Sequence, residues 1–229
     1  MTGIIEKKGL EKLAEKAAEF LSEIINPPLK ELGGLLTDQV KFWRFKNQVD
    51  IVLKAQHFLD EKGIQPRKVP VRMLAPLLEH GSWEEASDRQ TKWASLLANA
   101  ANPNCSYDSY SSYVEILRQI SPLEAKFLDL LFDEYGKPES QADSSQPPHK
   151  FSLGELYKID LNNIIQFTLD GTKAEKVLGV SKDEFNILID NLYRLDLVGG
   201  DLSPERIYPY VQLHFTSLGY NFVRSCRFR

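Results

Sequence analysis

The chain has 229 residues, of which 42% are hydrophobic and 26% are charged, a composition typical of globular proteins. No uncharged apolar stretch approaches the roughly 20 residues of a membrane-spanning helix, which excludes integral transporters and receptors. Its 28 basic and 32 acidic side chains give a net charge of −4, so the chain as a whole has no electrostatic preference for nucleic acid.

Helix-start motifs of the form Ser/Thr-x-x-Glu are frequent and predict a mainly α-helical protein. In this motif the hydroxyl accepts a hydrogen bond from a backbone N–H in the first turn, and the glutamate accepts one from the N–H of the first residue. The motif occurs six times, at Ser82/Glu85, Ser112/Glu115, Ser121/Glu124, Ser152/Glu155, Thr172/Glu175 and Ser181/Glu184.

Residues 1–120 are predicted to form an N-terminal helical bundle, because apolar residues recur in them at helical spacing. The predicted helices run from Gly9 to Ile25, from about Leu29 to Lys62, from Val69 with a break at Pro76, from a cap at Ser82 to Ala101, and from Tyr113 to Ile120. Gly63 is expected to end the second helix, since glycine readily adopts the left-handed conformation found after helix ends.

Residues 121–229 have a different pattern and are predicted to form a second domain. A helix begins at Ser121, a polar segment over 137–150 is expected to be a mobile loop, and helical pieces follow near Ser152 and Thr172. A helix from Ser181 precedes two short strands, Leu197-Val198 and Val211 to Thr216, and a last helix that carries Leu218, Phe222 and Cys226. This order predicts a winged helix-turn-helix with a short β-ribbon.

A winged helix suggests DNA binding, with the helix over 181–195 in the recognition position. Lys182, Asn186 and Arg194 would then be the candidate nucleic-acid contacts. However, residues 121–229 carry 12 basic and 16 acidic side chains, and contacts to phosphate need positive charge. We therefore expect the domain to contact protein, and a DNA-binding transcription regulator is the alternative hypothesis.

The N-terminal amphipathic helix raises a second alternative, a membrane-active effector. Its polar face mixes Lys7, Lys8, Lys12 and Lys16 with five glutamates, whereas helices that bind anionic lipid are typically basic. We therefore favour packing of this helix on the helical domain or on another copy of the chain.

No motif for phosphate binding, dinucleotide binding, acyl transfer or zinc proteolysis occurs, so we predict that the protein is not an enzyme. None of the four histidines has a second His or Cys three or four residues away, and Cys105 and Cys226 form no paired motif. No catalytic residue, metal, cofactor or small-molecule ligand is inferred. Unpaired cysteines and the lack of an export signal predict a cytoplasmic protein.

Several short motifs together resemble the bacterial abortive-infection alpha family, whose members are associated with phage resistance. The resemblance covers most of the chain and is carried by Asn26-Pro27-Pro28-Leu29, Glu31-Leu32-Gly33, Trp43-Arg44, Asn47, Lys68-Val69-Pro70, Trp93-Ala94, Leu96-Leu97-Ala98-Asn99-Ala100 and the ending Phe215-Thr216-Ser217-Leu218-Gly219. It implies a role in antiviral defence and supplies no catalytic residue.

Candidate contact residues for a protein partner or for self-association are Trp43, Arg44, Asn47, Trp93 and Asn99. Large aromatic side chains and arginine often anchor protein interfaces. The alternative is that the two tryptophans belong to the bundle core and that Arg44 and Asn47 make internal hydrogen bonds. The sequence leaves both interpretations open.

Overall fold

The computed structural model describes residues 2–24, 39–105, 110–135, 167–170, 178–200 and 210–228. The protein is mainly helical, as predicted, and these ranges contain eight helices and three strands. The helices are α1 (Thr2–Ile24), α2 (Gln39–Glu61), α3 (Val71–Gly81), α4 (Ser87–Ala101), α5 (Tyr110–Gln119), α6 (Pro122–Tyr135), α7 (Lys182–Arg194) and α8 (Ser217–Ser225). The strands are β1 (Phe167–Asp170), β2 (Val198–Gly200) and β3 (Tyr210–Phe215).

The chain divides into two compact units. The first contains Met1–Ile120 and Arg224–Arg229, and the second contains Ser121–Val223. The last six residues, which the sequence-based division groups with 121–229, therefore belong to the first unit. The predicted mobile loop over 137–150 and the predicted helical pieces near Ser152 and Thr172 lie outside the described residues.

Helices α2 and α4 pack against each other at the centre of the first unit, and α1 and α3 both contact α2. Ile51 on α2 and Trp93 on α4 are completely buried in this core. Gly81, the last residue of α3, permits their close packing, because a Cβ there would lie 2.8 Å from Cδ1 of Ile51 and 3.2 Å from Cγ of Trp93. The close packing of the end of α3 against α2 and α4 therefore requires a residue without a side chain at position 81.

The last residue of helix α2 is Glu61, and the glycine expected to end it, Gly63, lies in the turn that follows. This glycine has a φ of 62°, and the next residue, Ile64, donates its backbone N–H to the carbonyl of Leu59 at 3.0 Å. The same carbonyl also accepts from the N–H of Lys62 at 3.1 Å, so the turn after the helix supplies donors to a carbonyl of the last helical turn. The predicted start of this helix, near Leu29, lies outside the described residues.

Two of the predicted helix starts are wrong. Helix α4 begins at Ser87 rather than after Ser82, and Ser82 instead lies in the turn that follows α3. The Ser82 hydroxyl donates to the carbonyl of Glu79 and accepts from Arg44, so it is not available to cap a helix. Helix α5 begins at Tyr110, which places Ser112 inside its first turn.

The predicted break at Pro76 is also wrong. Helix α3 runs through this proline without interruption from Val71 to Gly81. A proline removes one intrahelical hydrogen bond. Burial of Met73, Leu74 and Leu77 along the same helix offsets that loss, since each buried side chain stabilises by about 2 kcal/mol.

The two remaining helix-start motifs within the described ranges are confirmed. Ser121 and Glu124 exchange hydrogen bonds at the start of α6, with 2.6 Å from the Ser121 N–H to the glutamate and 3.2 Å from the Glu124 N–H to the hydroxyl. Ser181 and Glu184 form the same reciprocal pair at the start of α7. The backbone N–H and the hydroxyl of Ser181 both donate to the Glu184 carboxyl, and these two bonds lower its pKa.

The second unit combines α6 and α7 with a three-stranded antiparallel sheet in the order β1-β3-β2. The predicted ribbon corresponds to β2 and β3, whereas β1 was not predicted. Phe127 on α6 packs edge-on against Phe185 on α7, with ring centroids 5.7 Å apart. Asn191 of α7 donates to Glu124 of α6 at 2.6 Å, which ties the two helices together.

The end of α7 is held by a residue in an unusual backbone conformation. Asp196 has a φ of 56°, in the left-handed region, and the following N–H of Leu197 reaches back to the carbonyl of Leu192 at 3.0 Å. Gly219 of α8 lies directly against the Leu197 carbonyl, where a Cβ would overlap the backbone. The junction between α7 and β2 therefore requires a glycine on the neighbouring helix.

Candidate interaction surface

The candidate contact residues of the first unit occupy different environments. Trp93 is completely buried, with an exposed fraction of 0%, and Asn47 is also buried. Trp43 and Arg44 are half-buried at the start of the described part of α2. Asn99 is also half-buried, so three of the five candidates, Trp43, Arg44 and Asn99, present side-chain surface to solvent.

Trp93 belongs to a polar network centred on Glu84. The carboxylate oxygen Oε1 of Glu84 accepts from the indole N–H of Trp93 at 3.2 Å and from Nε and Nη2 of Arg89 at 3.1 and 2.7 Å. Arg89 is itself buried, and its Nη2 also donates to the carbonyl of Leu117 at 2.9 Å. These bonds engage Nε and Nη2 of Arg89, whereas Nη1 is buried without a hydrogen-bond partner, so the pairing with Glu84 compensates this buried charge only in part.

Asn47 fixes the turn between α3 and α4 from the neighbouring helix α2. Its amide nitrogen donates to the carbonyls of Ser82 and Glu84 at 2.9 and 3.1 Å. Its amide oxygen accepts from Nε2 of Gln90 at 3.2 Å, and Gln90 also donates to the carbonyl of Glu84 at 3.0 Å. Because these groups lie in the interior, the turn has one preferred conformation.

That turn carries Trp83, the most exposed of the three tryptophans, with 54% of its surface accessible. The guanidinium carbon of Arg44 lies 4.3 Å from the centroid of the Trp83 ring, and its Nε donates to the Ser82 hydroxyl at 2.9 Å. The ring of Trp43 lies 6.4 Å from that of Trp83 at an angle of 58°. We call the exposed parts of Trp43, Arg44 and Trp83 the Trp83 surface.

Sequence reasoning did not select Trp83. The residue was assigned to the first turn of a helix capped by Ser82, where its exposure could not be judged. The signal that could have drawn attention to it is local, since Gly81 and Ser82 precede it and Glu84 and Glu85 follow it. A tryptophan among residues typical of turns and helix starts lies outside the regular apolar spacing of a core helix.

Asn99 lies in a separate environment within the first unit. Its amide nitrogen donates to the backbone carbonyl of Ser225 at 2.9 Å, and its amide oxygen lies 3.8 Å from the sulfur of Cys105. Burial raises the pKa of the Tyr110 hydroxyl, which also interacts with Cys105 and Ser225. Asn99 thus holds the C-terminal residues in this unit rather than contributing to the Trp83 surface.

The candidate nucleic-acid contacts all lie on α7. Lys182 is exposed in the first turn, and Asn186 is half-buried. Arg194 donates from Nε and Nη2 to the amide oxygen of Asn191, at 3.0 and 2.8 Å. Nε and Nη2 of Arg194, two donors that could otherwise bind a phosphate, therefore already bond to a side chain of the same helix.

Within the described ranges, no group of three or more His, Cys, Asp or Glu side chains could hold a metal ion. In the same ranges, no helix combines the length and the apolar character needed to cross a bilayer.

Comparison with known protein families assigns the chain to one of them. The model of the family described as abortive infection alpha matches residues 37–226, which is most of the chain. The chain belongs to the abortive infection alpha family. No curated protein and no solved structure gives a significant match.

Membership of the abortive infection alpha family confirms the resemblance seen in the sequence. The matched range includes α2, α3 and α4, and with them every residue of the Trp83 surface. The motif from Asn26 to Gly33 lies before the matched range and outside the described residues, so the family assignment does not depend on it.

Proposed function

We propose that this protein acts in abortive-infection-type phage defence by binding another protein through the Trp83 surface. Its family supports the defence role. The observation that supports the contact is a half-exposed tryptophan, braced by Arg44 and standing on a turn that Asn47 holds from the interior. Tryptophan and arginine are the residue types that most often anchor protein interfaces, and rigid placement lowers the entropy lost on binding.

We also propose that the second unit is a winged helix that serves protein contact. Helix α6, strand β1, helix α7 and strands β2 and β3 follow one another in the order of that fold, and the antiparallel sheet has β3 at its centre. Between Ser181 and Asp196 there are two basic and four acidic side chains. An acidic helix in the recognition position favours a protein partner over a duplex, because phosphates repel carboxylates.

The membrane-active alternative has less support from the structure. Leu10, Ala17, Phe20, Leu21 and Ile24 form the apolar face of α1 and are buried. Helix α1 packs against α2 within the first unit. Between Leu10 and Ile24 most of the apolar face is therefore covered, with Leu13 at 42% exposure, and a covered face has less apolar surface to insert among lipids.

Phage challenge of bacteria that express the wild-type chain or its variants tests the proposal. We expect Trp83→Ala to restore phage plating to the level of cells without the protein, whereas Val71→Ala leaves protection intact. Val71 is a matched control because it is an exposed apolar residue of the same unit, with 47% of its surface accessible. Each variant is purified and its thermal unfolding compared with the wild type.

Two results would contradict the proposal. If the wild-type chain gives no protection, the defence role is wrong. If folded Trp83→Ala protects as well as the wild type while Lys182→Ala combined with Arg194→Ala does not, the contact lies on α7 and the DNA-binding alternative takes its place.

A further inference from the structure

Arg44 is positioned by two contacts that leave most of its hydrogen-bonding capacity unused. Its Nε donates to the Ser82 hydroxyl at 2.9 Å, and its guanidinium lies against the ring of Trp83. Within the described ranges, neither Nη1 nor Nη2 takes part in a hydrogen bond or an ion pair. A guanidinium carries five N–H donors, so four of them remain.

The nearby carboxylate of Glu84 does not neutralise this arginine. Its oxygen Oε1 accepts from Arg89 and Trp93, and these bonds hold it within the buried network. Arg44 is therefore a half-buried cation whose counter-ion is not supplied by the part of the chain that the structure describes. A cation held in one orientation beside an exposed aromatic ring is suited to receive an anion from outside.

We propose that Arg44 and Trp83 together bind a carboxylate that the partner protein presents next to an apolar side chain. This inference rests on the proposed function and names the chemistry of the partner. The two Nη groups of Arg44 donate to the two oxygens of the carboxylate, and the exposed part of Trp83 packs against the neighbouring apolar group. The two Nη groups of an arginine are fixed in one plane and can donate to both oxygens of a carboxylate. A lysine ammonium has no such paired, planar donors.

The charges around the site favour a carboxylate over a phosphate group. A phosphate carries close to two negative charges at neutral pH and is usually met by several cations. Here one arginine stands beside the turn between α3 and α4, in which Glu85 is exposed, and Asp88 is exposed in the first turn of α4. Arg44 compensates the single charge of a carboxylate, whereas a phosphate would bring a second, uncompensated negative charge near these acidic side chains.

The test is an NMR titration of the full-length chain labelled with ¹⁵N. The three tryptophans give three indole N–H signals, assigned with Trp43→Phe and Trp83→Phe, and the buried Trp93 serves as an internal control. The probe is the blocked tripeptide acetyl-Phe-Glu-Phe-amide. The controls are acetyl-Phe-Gln-Phe-amide, which has the same shape without the charge, and inorganic phosphate.

We expect the glutamate peptide to shift the Trp83 signal saturably in the millimolar range and to leave the Trp93 signal in place. The glutamine peptide, and the glutamate peptide with Arg44→Lys, should bind at least about tenfold more weakly. Val71→Ala should bind as the wild type does. A merely structural role for Arg44 predicts no difference between the two peptides on the wild-type chain.

Equal binding of the two peptides, full binding by Arg44→Lys, the absence of any saturable shift, or tighter binding of phosphate than of the glutamate peptide would each overturn the inference. These results are distinguishable from failure of the proposed function. If Trp83→Ala abolishes protection but the peptides show no preference, the surface acts in defence and the carboxylate assignment is wrong. If the glutamate peptide binds as expected but Trp83→Ala protects fully, the site exists and its role in defence is wrong.

Discussion

Replacement of Asn47 by leucine should destabilise the first unit by an amount that its contacts define. Asn47→Leu keeps a side chain of similar size but removes three hydrogen bonds, to Ser82, Glu84 and Gln90, at 2.9, 3.1 and 3.2 Å. A buried hydrogen bond contributes about 1 kcal/mol net, so the expected loss in the free energy of unfolding is about 3 kcal/mol. This is less than the typical stability of a domain, and the variant should still fold.

Urea unfolding followed by tryptophan fluorescence measures this loss selectively. Trp43, Trp83 and Trp93 are the only tryptophans of the chain and all lie in the first unit, so the emission reports on that unit. With a urea dependence of about 2 kcal/mol per molar, the midpoint for Asn47→Leu should fall by about 1.5 M.

Gln48→Leu is the matched control for this measurement. Gln48 is the next residue of α2, is half-buried, and makes one long hydrogen bond of 3.3 Å to the carbonyl of Leu78. Its removal should cost about 0.5 kcal/mol. If Asn47→Leu lowers the midpoint no more than Gln48→Leu does, Asn47 does not hold the turn that carries Trp83.

Three further substitutions test the structure elsewhere. Gly219→Ala should cost the second unit about 3 kcal/mol, because the new Cβ overlaps the Leu197 carbonyl; unchanged thermal unfolding by circular dichroism would contradict that contact. Asp196→Gly should stabilise the same unit by about 1 kcal/mol by relieving the left-handed backbone, and a lower melting temperature would refute this reasoning. Burial raises the pKa of Tyr110, so the unfolded tyrosine ionises first near pH 10 and stability is lost as the pH rises. Between about pH 9 and 11 the wild-type melting temperature should therefore fall more steeply than that of Tyr110→Phe, and equal slopes would count against the burial.

The helix-start motifs show how far local sequence reaches. Ser121 and Ser181 cap helices as predicted, because each pair of serine and glutamate completes its hydrogen bonds within one turn. Ser82 matches the same pattern, yet its hydroxyl bonds to Glu79 and Arg44. Arg44 lies 38 residues earlier in the chain, so no local rule could have included it.

The candidate interaction surface likewise has features that the sequence indicates and features that only the tertiary structure shows. Residue type was sufficient to draw attention to Trp43, Arg44 and Trp93. It could not show that Trp93 is buried with its indole N–H satisfied by Glu84, while Trp83, ten residues earlier in the sequence, is half-exposed. Burial of an aromatic side chain depends on which helices pack over it, and Trp93 lies on α4, which packs against both α2 and α3.

The sequence by itself determined that the protein is mainly helical, that α2 ends shortly before Gly63, and which family the chain belongs to. Periodicity, capping and glycine conformation act within a few residues, and they can be recognised without knowing the fold. Only the tertiary structure decided that α4 begins at Ser87 and that Arg44 braces Trp83 in an exposed turn. These features arise because buried polar groups must find partners, and the partners come from helices far apart in the chain.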